Sequence, residues 1–371
     1  MGLSANNFIG SSLRLARLFN GLTLQELGEK VVTSRQYIQR LEMEKDINPT
    51  QNLVRALAEV LKVEPSFFYA QVAEFPEELF HFRKRQTTPL HIKNQARALA
   101  TIFSLIISYL ESNINFPDIN FDNSTVNDDD NEIECIAQKY RHHWKLTADA
   151  PIANMVRVSE NNGVIVTAFG DISEKIDAFS YWHMRGIIVR NTAKESPSRA
   201  RFDIAHELGH LIMHQGIEPT DERFEDQANQ FASAFLFPRH SFISEYPRGV
   251  PIRWQQLIAL KLRWGVSLQA IIRRAFDLRI ISAVEYRNAF VHIGKQGWKT
   301  NEPSDDKIPI EYPELLQEAF TLLLSKGIHP KDIAKSLNIC LDIINKFGFD
   351  FIPDDSNDGN LNLVHFPIPK R

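Results

Sequence analysis

With 371 residues, the chain is longer than one small domain needs, and two or three domains are expected. Hydrophobic residues make up 43% and charged residues 24%, a globular mix that excludes wholesale disorder. The formal net charge of −4 excludes a uniformly basic nucleic-acid binder, so any DNA contact must come from a local patch.

Two cysteines, Cys135 and Cys340, are too few and too far apart for a disulfide framework or a Cys-rich zinc site. The opening MGLSANNFIG has no basic flank leading into an apolar core. The longest apolar run, Leu99 to Leu110, falls short of the roughly 18 residues a spanning helix needs. A soluble, cytoplasmic protein without membrane contact is expected, associated with the nucleoid when bound to DNA. Composition shifts divide it into a helix-rich block (1–72), a connector ending in the acidic stretch Asn127 to Asp130 (73–130), a mixed region (131–250) and a helical C-terminal region (251–371).

In the first block, Leu13 to Arg17 opens a helix that stops at Gly21. Thr23 caps a second helix, Leu24 to Lys30, and Ser34 caps a third, Arg35 to Glu42, with Tyr37, Ile38 and Leu41 at core spacing. Leu53, Leu57, Ala58 and Leu61 continue the bundle past Pro49. Two short helices at this spacing are how a recognition helix is presented to the major groove. The candidate DNA contacts are Arg35, Gln36, Gln39 and Arg40, since Gln can read adenine edges and Arg can read guanine or phosphate. Residues 1–70 carry eight Lys/Arg against seven Asp/Glu, so binding should be modest and salt-dependent. This pattern resembles the XRE (Cro/CI-type) domain and implies a lambda-repressor-like, all-α fold on a double-stranded operator. Leu24 departs from it, standing where many members have a phosphate-supporting Gln.

Ala96 to Leu110 reads as one apolar-rich helix, either a packed connector or a dimerisation helix. Helices are expected over Ile133 to Trp144 and Ile152 to Ser159. The runs Gly163 to Thr167, Asp177 to Trp182 and Gly186 to Val189 then suggest a small, largely antiparallel sheet. Nearly everything after Ser198 is helical, which gives an α+β domain.

His206-Glu207-Leu208-Gly209-His210 places two imidazoles one helical turn apart on one face, able to bind one metal ion. Glu207 lies beside them, positioned to accept a proton from an activated water. A catalytic zinc needs a third protein ligand. Glu222, Glu225, Asp226 and His214 are the candidates, and His214 lies about 6 Å further along the helix. Glu225 is the expected ligand. It begins a helix whose Ala228, Ala232 and Ala234 allow close packing on the histidine helix. Two imidazoles and a carboxylate suit zinc, with manganese and iron left open.

Arg201-Phe202-Asp203-x-Ala205-His206-Glu207-Leu208-Gly209-His210-Leu211, then Glu225-x-Gln227-Ala228-Asn229-x-Phe231-Ala232 and Ala234 to Pro238, resembles the ImmA/IrrE family of metallo-endopeptidases. Asp177 to Ser180, Leu260 to Ser267, Arg274-Ala275 and Gly297 to Pro303 resemble members fused to an XRE domain. The resemblance implies a zincin-like fold of the gluzincin type with His206, His210 and Glu225 as ligands and Glu207 as base. It also implies cleavage of a helix-turn-helix repressor, itself or a partner, to relieve repression. The alternative is an antitoxin or autoregulator of a toxin–antitoxin or mobile-element operon, bound to a partner protein and with little turnover. A homodimer is expected from the pairing of half-sites. Phe237-Pro238 replaces the commoner Met-Pro. Val266 to Ala275, with a Ser267 cap, and Gly327 to Ile344 read as helical modules covering the peptidase, the alternative being a second helix-turn-helix that touches DNA or a partner.

Overall fold

The N-terminal block folds into α1 (Gly10–Phe19), α2 (Leu24–Lys30), α3 (Arg35–Met43) and α4 (Gln51–Leu61). Its caps are the expected ones. Thr23 accepts from the Glu26 backbone at 3.1 Å while the Glu26 carboxylate accepts from the Thr23 backbone at 2.7 Å. Ser34 opens α3 by accepting from the Tyr37 backbone at 3.1 Å, and Thr50 opens α4 in the same way. Leu13, Leu27, Ile38, Leu41, Val54 and Leu57 are buried between these helices.

The structure, a computed structural model, describes residues 7–44, 47–72, 80–82, 89–124, 126, 130–169, 178–191, 196–216, 222–249 and 252–347. The acidic residues Asn127 to Asp129 and the tail from Pro353 lie outside them. The helices that follow the first four are α5 (Leu90–Asn113), α6 (Asp130–His143), α7 (Met155–Asn161), α8 (Pro197–Met213) and α9 (Glu222–Leu236). After them come α10 (Arg239–Glu245), α11 (Trp254–Trp264), α12 (Leu268–Asp277), α13 (Ala283–Lys295), α14 (Leu315–Ser325), α15 (Pro330–Ser336) and α16 (Leu341–Asn345).

Four strands, β1 (Phe80–Phe82), β2 (Ile165–Phe169), β3 (Ala178–Trp182) and β4 (Gly186–Asn191), form one sheet in the order β1-β3-β4-β2. Pairings β1–β3 and β3–β4 are antiparallel, but β2 runs parallel to β4, so the sheet is mixed. Short apolar runs announce strands without announcing their neighbours. The continuous runs Val164-Ile165-Val166 and Ile187-Ile188-Val189 do carry one further sign, that both faces of the sheet are covered.

Alternation along the strands separates the two faces. Ile165, Phe179, Tyr181, Ile187 and Val189 join the core that contains α5, α14 and the N-terminal helices. Val166 and Ile188 join the core of α6–α9 and α11–α13. The run Ala96 to Leu110 therefore lies inside α5 as a packed layer. Ala96, Leu99, Phe103, Ile106 and Leu110 are all buried, and Tyr181 Oη donates to the Ala100 carbonyl at 3.2 Å. Most of the apolar run is thus covered within the chain, as in the packed-connector alternative.

The C-terminal region divides between the two cores. Buried Leu268, Ile271, Ile272 and Ala275 of α12 join the core that contains α6 to α9. Arg274 reaches across to Glu134 of α6. The second expected module, by contrast, packs on the N-terminal helices. Val63 bridges Ile339, the Cys340 backbone donates to the Lys62 carbonyl at 3.0 Å, and the Phe347 ring lies 6.0 Å from Phe19. Apolar spacing specifies that a helix will be buried, not against which neighbour.

Between these parts, Asp305 accepts from Ser196 and Ser198 at the start of α8 and lies 2.9 Å from the buried Lys261 ammonium. Glu311 pairs with Arg201 of α8 and accepts from the Met155 and Val156 backbones. Gly265 must stay a glycine here, because φ is +65° and a Cβ would stand 2.8 Å from Arg201 Nε.

Glu160 on α7 accepts from the backbones of Glu314 and Leu315, at the start of α14. Burial nevertheless pushes its carboxyl up from 4.5 to about 7. The folded state thus binds this proton more tightly than the unfolded chain. The associated stability is complete below pH 4.5 and is lost as pH rises through about 7. Denaturant titrations between pH 5 and 8 are expected to show this decline in the wild type and a flatter profile in Glu160→Gln.

Candidate metal centre and DNA-facing helix

Helix α8 begins at Pro197, with Ser196 as its cap, and runs beneath β3 and β4. Its fully buried face includes Ile204, Ala205, Leu208, Leu211 and Ile212. The close neighbour on its other side is α9, which can approach because Gly209 has no side chain. A Cβ there would meet the Phe231 ring at 3.0 Å.

His206, Glu207 and His210 are buried at 0%, 0% and 1% exposure, so each polar atom needs a partner. His206 Nδ1 lies 3.0 Å from Asn229 Oδ1, which can only accept, so that nitrogen carries the proton and Nε2 is left with its lone pair. His214 Nε2 donates to Gln227 Oε1 at 2.8 Å. Burial, then the neighbouring His210, pushes the His214 imidazole down to about 4, so it is neutral near pH 7 and its Nδ1 accepts. His210 Nδ1 donates to it at 2.9 Å, which again leaves Nε2 with a lone pair.

Both Nε2 atoms face the same point, 3.1 Å apart, and the Glu225 carboxylate oxygens stand 3.6 Å from one and 3.5 Å from the other. Three potential ligand atoms thus converge on one point. Their spacing fits a tetrahedral ion with bonds of about 2.0–2.1 Å, whose ligand atoms are about 3.3 Å apart. Among the described residues this is the one His/Cys/Asp/Glu group of suitable geometry. His214 is turned to supporting His210, Asp226 is exposed, and the side chain of Glu222 lies outside the described residues.

Glu207 is held from the sheet. Ser180, in the middle of β3, donates to Glu207 Oε2 at 2.6 Å. Strand alternation explains why Ser180 reaches α8 while Phe179 and Tyr181 point to α5. Sequence reasoning gave no role to Ser180, Asn229 or Gln227. Asn229 had a usable signal, since Glu225 and Asn229 are i and i+4 and so share one face of α9. Phe237, the departure from Met-Pro, stacks on Trp264 with ring centroids 4.1 Å apart.

In the N-terminal block, Arg35, Gln36, Gln39 and Arg40 are all exposed on α3. Arg40 pairs with Glu44 at 3.1 Å on the surface. The geometry of α3 is set from behind, where Arg17 of α1 meets Glu42 through two hydrogen bonds of 2.6 and 2.8 Å and also donates to the Leu22 carbonyl. Leu24 is half-buried against the same core and presents no hydrogen-bond donor at the start of α2.

Two family models match parts of the chain. Residues 160–276 match the IrrE N-terminal-like domain of the M78 peptidases, a span that contains His206, Glu207, His210 and Glu225. Residues 13–68 match the helix-turn-helix family, which spans α1 to α4. No curated protein matches the chain. Among the described residues no helix is long and apolar enough to cross a membrane.

Removing one partner of a buried, bidentate ion pair typically costs about 3–5 kcal/mol. Arg17→Met is therefore expected to lower the thermal midpoint clearly. Arg40→Ala, at a solvated pair, should leave it nearly unchanged and instead weaken binding to operator DNA. Thermal melts and fluorescence anisotropy on both variants check the contrast.

Proposed function

We propose that this fusion of an XRE-type helix-turn-helix domain with an M78-type peptidase domain is a DNA-binding regulator whose peptidase site is a working zinc endopeptidase. The observation that carries the reading is the triangle of His206 Nε2, His210 Nε2 and the Glu225 carboxylate beside a tethered carboxylate, Glu207. A purely structural metal site has no need of that fourth group.

In this reading His206, His210 and Glu225 hold the zinc. Zinc bound there supplies a Lewis acid that polarises a peptide carbonyl and makes water acidic enough to ionise near neutral pH. Glu207 is the base. Its carboxylate takes the proton from the attacking water and returns it to the amine that leaves. Ser180 keeps Oε2 of Glu207 in place by a hydrogen bond, and burial keeps bulk water from competing for the proton. Asn229, and the pair His214 and Gln227, fix the imidazoles as Nε2 donors, the role of outer partners at metal sites.

The substrate class is a protein regulator, either this chain or a partner repressor, whose cleavage relieves repression. Arg35, Gln36, Gln39 and Arg40 are the proposed contacts to double-stranded operator DNA, with a homodimer matching paired half-sites. Such a regulator works in the cytoplasm.

Metal analysis of the purified full-length chain tests the ligand set. About one zinc per chain is expected in the wild type and in Glu207→Gln, and none in Glu225→Ala. Glu207→Gln should abolish cleavage of a co-expressed repressor while keeping its metal. His214→Ala is expected to retain the stoichiometry but bind zinc 10–100-fold more weakly, the usual effect of losing an outer partner. A wild-type chain without metal, or a Glu207→Gln chain that still cleaves, would defeat the reading.

A further inference from the structure

Glu207 and His206 have no exposed surface, yet a peptidase must bring a scissile peptide to them. A backbone next to the site that could align such a peptide is β3, because Ser180 at its centre donates directly to Glu207. Extended peptides bind a sheet by adding a strand to an edge. One edge of β3 is paired with β4. The other is taken by β1, antiparallel, with His81 opposite Ser180, Phe80 opposite Tyr181 and Phe82 opposite Phe179.

β1 belongs to neither matched domain. It lies between the helix-turn-helix match, which ends at 68, and the peptidase match, which begins at 160. At three residues it is also among the shortest of strands, so a longer extended peptide can compete for the same edge.

We propose that β1 is an intramolecular occupant of the peptide-docking edge. A piece of the chain that leads out of the DNA-binding domain fills the β3 edge beside Glu207, and an extended protein segment must displace it to reach the site. The proposal rests on the reading of Glu207 as the base. It makes the pairing of β1 with β3 a control on access to the peptidase.

The test uses the full-length chain without metal, a fluorescein-labelled synthetic peptide of sequence EELFHFRKR (residues 77–85), and hydrogen–deuterium exchange. His81→Pro combined with Phe82→Pro removes two successive backbone donors of β1, one of which must face β3 because strand donors alternate in direction. A second variant, with Phe80, His81 and Phe82 all replaced by Gly, covers the case in which the proline variant fails to fold. An occupant docked about nine-tenths of the time lowers the apparent affinity of a competitor about ten-fold. The expected result is peptide binding at least about ten-fold tighter in the variants than in the unsubstituted chain. The amides of residues 178–182 that face β1 should also exchange faster in the variants and be protected again by peptide. Equal peptide affinity in the unsubstituted and folded variant chains, or unchanged exchange at β3, overturns the proposal. Neither readout requires metal or turnover. Zinc titration of the same chains therefore reports on the peptidase reading separately.

Discussion

The arrangement of the C-terminal half depends on the cost of burying α8. A helix with two imidazoles and a carboxylate on its inner face can be taken out of water only if every polar atom finds a partner. Ser180 comes from the sheet, and Asn229, Gln227 and Glu225 come from α9. Those partners require the two elements to be close, which explains Gly209 against Phe231 and the run of small residues on α9. The same hydrogen bonds that satisfy the histidines turn both Nε2 atoms toward Glu225. Satisfying the buried polar groups and bringing the three candidate ligands together are here one constraint.

The start of α8 is fixed just as firmly. Ser196, Ser198 and Arg201 are held by Asp305 and Glu311, residues beyond the end of the peptidase-family match. Buried pairs of this kind contribute little net stability when intact but are costly to break. Their effect is to make one orientation of the helix much better than its neighbours. The C-terminal region therefore acts on the site from a distance, by holding the helix that carries it.

The two functional ends share a layer. α5 packs on α1 and on the sheet face opposite α8, and α14 to α16 complete the same core around Phe19, Phe103 and Phe347. From α3, the Arg17–Glu42 pair leads to α1, then α5, then Tyr181 of β3, next to Ser180 and Glu207. A continuous series of buried contacts thus joins α3 to the proposed base.

Much of this was legible in the sequence because it is local. The caps at Thr23, Ser34 and Ser267, the one-turn spacing of His206 and His210, and the apolar spacing within α5 and α12 each depend on residues a turn or two apart. Glu225 was also legible, as an acid on a helix with small residues able to pack on α8. What tertiary structure alone decided involves residues far apart in the chain. That Ser180 faces α8 rather than α5 depends on strand register. That β2 runs parallel to β4 depends on which edge was available. That Gly327 to Ile344 packs on the DNA-binding domain rather than the peptidase depends on the competition between two apolar cores. Spacing along the chain determines which side of a helix or strand is apolar and which side chains stand together on it. Which surface covers that side is settled only by the burial of all of them at once.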